Sequence, residues 1–125
     1  MEGNDEQAYD MEISDKPISV GWIRERANKR EFQLTGHAHK ERQEETIKAQ
    51  EIRDALMKCE ILEDCPDDPR GASCLVLGYS EGRAIHVVCG RTKCDWLLVI
   101  TVYIPRPYKW ITHRLRAKRG DMDVT

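Results

Sequence analysis

The sequence predicts an α+β domain: N-terminal helices packed on a small antiparallel sheet of three to four strands. Three observations lead there. Residues 16–58 place apolar side chains at helical spacing behind helix-start signals, whereas residues 73–104 hold three apolar runs parted by short turns. The order is helices first and strands after. With 125 residues, 40% of them hydrophobic, the chain can bury one core but not two.

Asp15-Lys16-Pro17 reads as a helix start, with a capping acid and a proline in the first turn. Ile18 and Trp22, then Ile23 and Ala27, fall four apart and carry this helix to about Arg30. Phe32-Gln33-Leu34 is a short strand or a connector. Thr35 suits an N-cap, and a charged helix follows over residues 37–45. Its only apolar residue is Ala38, so the helix is partly wet or its polar groups face a site. Another helix spans about 48–58, with Ile52, Ala55 and Leu56 on one face. Residues 60–64 form a short strand, and Cys65-Pro-Asp-Asp-Pro-Arg-Gly71 an ordered loop. Strands at 73–79, 84–89 and 96–104 are joined by turns at 80–82 and 90–95, which makes an antiparallel meander. Leu75, Leu77, Ile85, Val87, Leu98, Ile100 and Val102 are expected to line a core between sheet and helices. Pro105 and Pro107 end the last strand.

Charge divides the chain. The formal net charge is −2, yet Glu2, Asp5, Glu6, Asp10, Glu12 and Asp15 stand without a cation in residues 1–15. That segment is expected to be a disordered acidic arm, residues 16–112 a single domain, and residues 113–125 a basic tail. Arg106, Lys109, Arg114, Arg116, Lys118 and Arg119 lie together near the C-terminus and suit a polyanion; a solvated helix end is the plainer account. The longest nearly apolar run, residues 96–104, is far below the roughly 20 residues of a membrane span, and the acidic N-terminus resembles no export or transit signal. A cytoplasmic protein that does not engage a membrane is therefore expected. The five cysteines are odd in number and contain no CxxC pair, so reduced thiols and no metal site are expected. Serine-hydrolase, Walker, dinucleotide and zincin motifs are absent.

Two places could carry chemistry. On the helix 37–45, His37 and Glu41 are four apart and share one face; His39 and Arg42 are three apart and share another. An imidazole beside a guanidinium can move a proton next to a phosphate. The same spacing also describes an ordinary solvated helix. In the second place, His86 interrupts the apolar strand Ile85-His86-Val87-Val88. It is either a satisfied core histidine or a group aimed at the open face of the sheet.

The blocks LTGHAHKER (34–42), EILEDCPDDPRGASCLVLGY (60–79), IHVVCG (85–90) and VITVYIPRPYKW (99–110) resemble, in order and spacing, a small prokaryotic family. It is classed as a domain of unknown function and grouped with RelE-, HigB- and BrnT-type toxins, the mRNA-cleaving halves of toxin–antitoxin pairs. The resemblance covers about residues 17–112. It implies a RelE-like fold and a metal-independent endoribonuclease that needs no cofactor, with RNA as substrate and an antitoxin protein as partner. His37 and His86 are then the acid/base pair and Arg42 an anion clamp. Arg83 joins Arg42 as a clamp. The basic patch, whose Arg114 and Arg116 lie outside the resemblance, would bind the RNA backbone through Arg106, Lys109, Arg114 and Arg116. Tyr103 is a weaker orienting group. Cys65 stands where the family usually has an aromatic residue before Pro66, which removes a stacking group from that loop. The alternative is a non-catalytic RNA- or protein-binding domain with the same fold.

Overall fold

A computed structural model describes residues 12–69 and 71–106. Its elements run α1 (Val20–Asn28), β1 (Phe32–Leu34), α2 (Gly36–Glu44), α3 (Ala49–Met57), β2 (Glu60–Cys65), β3 (Ser73–Ser80), β4 (Arg83–Arg91) and β5 (Leu97–Tyr103). The first helix starts later than Asp15-Lys16-Pro17 suggests. Ser19 is its cap, with the hydroxyl accepting from the Trp22 N–H at 3.1 Å.

The five strands form one sheet in the order β1-β5-β4-β3-β2. β2 through β5 are antiparallel to their neighbours, but β1 runs parallel to β5, with Phe32 beside Leu97 and Leu34 beside Val99. This corrects the expected antiparallel sheet of three to four strands with N-terminal helices laid on it. Among the described residues the sheet is mixed and has five strands, and its first strand precedes two of the three helices. The fold class read from the sequence, with the RelE-like arrangement attached to it, does not hold. The physical reason is that β1 is three residues long and its partner lies more than 60 residues away, so nothing local marks the pairing.

One face of the sheet holds the helices. Ile23 and Ala27 of α1 and Ile52 and Leu56 of α3 pack with Val76, Val87 and Val99 in one buried cluster. α3 comes so close to β3 that a Cβ on Gly78 would overlap the Ala55 carbonyl, and only glycine fits there. The core expected from the sequence splits between two faces. Ile85, Val87 and Val102 join the helix-side cluster; Leu75, Leu77 and Leu98 are buried too but stand outside it, on the face that strand alternation assigns to His86. The β3–β4 hairpin turns on Glu81 and Gly82, both at positive φ (52° and 81°), the pattern of a tight primed turn.

Of the expected acidic arm, residues 12–14 are tied to the β4–β5 turn. Ile13 bridges to Thr92, and the Ser14 N–H donates to the Arg91 carbonyl at 2.6 Å. Residues 1–11 and the basic tail 113–125 lie outside the described residues. Among the described residues, no helix is long and apolar enough to cross a membrane.

Candidate functional site

The site grows from a gap in the sheet. β1 covers only Leu97–Val99 of β5. Just beyond, the register slips: Val88 faces Thr101 and Cys89 faces Val99, which leaves Ile100 as an extra residue. Helix α2 lies along this uncovered edge. Thr35 makes the joint. Its N–H donates to the Val99 carbonyl at 3.0 Å and its hydroxyl to the Ile100 carbonyl at 3.1 Å, while the same oxygen caps α2 by accepting from the Ala38 N–H at 3.0 Å.

The rest of the edge is satisfied by carboxylates. Ala38 and Glu41 of α2 and its C-cap Glu45 form one stripe, at i, i+3 and i+7. Ala38 is buried and small, so the helix can sit close. The Val102 N–H donates to Glu41 Oε1 at 3.1 Å and the Ile104 N–H to Glu45 Oε1 at 3.3 Å. A helix so poor in apolar residues is thus held by strand-edge hydrogen bonds, which also protects the edge from pairing with another chain.

His37 stands on this frame. Its Nε2 is 3.2 Å from Glu41 Oε2, and its side chain is 66% exposed against 22% for Glu41. A carboxylate can only accept, so in the neutral ring Nε2 carries the hydrogen and Nδ1 the lone pair. On the neighbouring face, Arg42 Nε lies 3.5 Å from His39 Nδ1, and Arg42 Nη1 donates to the Ile47 carbonyl at 3.3 Å. The helix therefore presents two exposed imidazoles with a guanidinium beside one of them.

His86 is elsewhere. It sits in β4 with 0% exposure, opposite Tyr103 of β5. Its Nδ1 is 3.2 Å from the Tyr103 hydroxyl, and the two rings meet edge to face at 5.2 Å. This is the core-histidine reading. The structure does not bring His86 and His37 to one solvent-filled cleft, so the acid/base pairing of these two residues is not found. Tyr103, half-buried, holds His86 through its hydroxyl.

Two of the expected anion contacts are also committed within the fold. Arg83 Nη2 reaches both oxygens of Glu51 at 3.1 Å and the Thr46 carbonyl at 3.0 Å, so it binds the α2–α3 connection to β4. Glu51 is only 4% exposed. The Lys48 backbone N–H, which it accepts at 2.8 Å, and then Arg83 hold its carboxyl below the ordinary range, against the opposing effect of burial. Arg106 is clamped on both oxygens of Glu45 at 2.7 and 2.8 Å. Lys109, Arg114 and Arg116 lie outside the described residues.

Nothing in the sequence marks the anchoring roles of Glu41, Glu45 and Glu51. The His37–Glu41 spacing is visible, but the backbone N–H groups that fix Glu41 and Glu45 come from residues about 60 positions on, and the arginine paired with Glu51 lies on a distant strand. Among the described residues, no three His, Cys, Asp or Glu side chains gather as a metal would require.

Residues 34–104 match the model of a family described as a domain of unknown function, DUF4258. No curated protein and no solved structure matches the chain.

Proposed function

Since the chain belongs to the DUF4258 family, whose description assigns no activity, we propose a function from the site itself: a metal-independent endoribonuclease of toxin type, with His37 as its base. The observation that carries the reading is a solvent-facing imidazole oriented by a carboxylate that the backbone in turn holds. The substrate class is taken from the expected grouping of this family with mRNA-cleaving toxins. In this reading His37 Nδ1 takes the proton of a 2′-hydroxyl as that oxygen attacks the adjacent phosphate. Arg42 keeps Nη2 for the charge that develops on the phosphorane, its Nε and Nη1 being engaged. Water protonates the leaving 5′-oxygen, and the products carry a 2′,3′-cyclic phosphate and a 5′-hydroxyl. Lys109, Arg114 and Arg116 would hold the RNA backbone, and an antitoxin protein would be the natural partner. His86 has no part in the chemistry.

A second reading, a non-catalytic RNA- or protein-binding domain, is favoured by one observation: His86, Arg83 and Arg106 are all engaged inside the fold. End-labelled RNA incubated with the purified protein in chelator separates the two. Cyclic-phosphate ends made by the wild type and lost in His37→Ala support the nuclease. RNA that is retarded on a gel but left intact supports the binding domain.

A further inference from the structure

α2 carries a pair that runs against the usual logic of helix stability. His37 lies near the N-terminus and its acid, Glu41, one turn later. A helix dipole favours acids at the N-terminal end and cations at the C-terminal end, so this order gains the helix little. The same molecule offers a contrast. Glu25 of α1 and Lys29, its C-cap, are also four apart and 3.2 Å from each other, but in the favoured order, acid first, and both are half exposed. Glu25 is held by cations alone: Lys29 and then Arg26 lower its carboxyl. Glu41 differs. Its Oε1 is fixed by the Val102 N–H of β5, and only Oε2 is turned to the histidine. One oxygen pinned by backbone leaves the carboxylate few orientations to lose when it binds the ring.

From this arrangement we infer that Glu41 is a positioning residue: it transmits the geometry of the β5 edge to His37 and keeps the imidazole in the Nε2–H tautomer, with Nδ1 as the acting base. The inference rests on the nuclease reading for its consequence, but not for its test. Substitution by glutamine makes a sharp prediction. The Val102 N–H requires an acceptor, so the amide oxygen of Glu41→Gln takes the place of Oε1. The NH2 then faces His37 Nε2 and donates to it, which forces the hydrogen onto Nδ1. The backbone contact survives and the lone pair moves to the wrong nitrogen.

The experiment is ¹⁵N NMR of the imidazole nitrogens at a pH where His37 is neutral, on the full chain. Wild type should show the Nε2–H form almost alone; Glu41→Gln should shift the population toward Nδ1–H. Glu45→Gln is the control, because Glu45 holds the same strand edge through the Ile104 N–H and is not the acid paired with His37. It should leave the His37 signals where they are. RNA cleavage by Glu41→Gln should fall about tenfold or more, a part of the 10²–10⁴ that general acid–base catalysis contributes. Identical tautomer populations in wild type and Glu41→Gln overturn the inference, as does an equal change in Glu45→Gln. If the tautomers behave as expected but the wild type leaves RNA intact, the positioning stands and the nuclease reading falls.

Discussion

His37 and His86 carry the same side chain into opposite surroundings. One projects from a charged helix into water with a carboxylate behind it; the other is sealed in β4 against a tyrosine ring and hydroxyl. The difference lies in what each neighbour demands. Tyr103 gives a buried imidazole a hydrogen-bond partner in place of the water it has lost, as any buried polar group requires. Glu41 aims a ring that water already solvates, and solvation alone requires no such aim. Histidine within a motif therefore does not say whether its role is chemical or structural; the polar group behind it does.

The comparison breaks most decisively at His37. His37→Ala should lower RNA cleavage about 10²–10⁴-fold while the thermal midpoint stays nearly unchanged, since the side chain is solvated. A loss of cleavage matched by a collapse of the melt would remove the distinction between the two histidines. His86→Ala should do the reverse: a loss of about 2–4 kcal/mol from the cavity and the lost hydrogen bond, read by urea denaturation, with the protein that remains folded cleaving as before. Undiminished stability there would mean that β4 does not depend on the His86–Tyr103 contact.

Arg83→Ala comes next, at about 1–3 kcal/mol, because it leaves a nearly buried Glu51 without its cation. The pH dependence has a definite sign. The folded Glu51 carboxyl titrates below its unfolded counterpart, so its stabilisation is complete above about pH 4.5 and is lost as pH falls through the lower folded value. Urea midpoints measured from pH 7 down to pH 3 should fall less steeply in Glu51→Gln than in wild type. The smallest effect concerns the cysteines, which repeat the contrast between exposed and buried copies of one residue type. Burial pushes the Cys59 thiol up to about 11, and the buried contact with Cys74 together with desolvation raises Cys89 as well. Iodoacetamide at pH 8 should therefore label Cys65 and Cys94 in the native protein and reach Cys59, Cys74 and Cys89 only in denaturant.

Local signals in the sequence located most of the elements. Thr35 as a cap, the Ile52/Ala55/Leu56 stripe and the Ser80-Glu81-Gly82 turn each state a short-range preference, and the structure keeps all three. What escaped was every feature that depends on distant pairing. The three residues of β1 have no periodicity long enough to reveal a parallel partner. The bulge at Ile100 is invisible in an even apolar run, so which of its residues face the helices could not be read. At the site, the His37–Glu41 spacing was legible and the anchor at Val102 was not. Likewise sequence suggests Arg83 as an anion clamp because its partner, Glu51, sits on another element and shows no sign of burial in sequence.

The joint between α2 and β5 also orders events in time. A chain is made from its N-terminus, and domains fold as their segments emerge. α2 can coil as soon as Thr35 and the following turn exist, but the N–H groups that hold Glu41 and Glu45 belong to Val102 and Ile104, 61 and 59 residues later. Contacts of such separation must bear the cost of closing a long loop before they form. Until β5 has been synthesised and has joined the sheet, His37 is a solvated side chain on an undocked helix, and the Glu41 beside it lacks its backbone anchor. The orientation of the imidazole is among the last things this chain acquires, and a product cut short before residue 102 never acquires it.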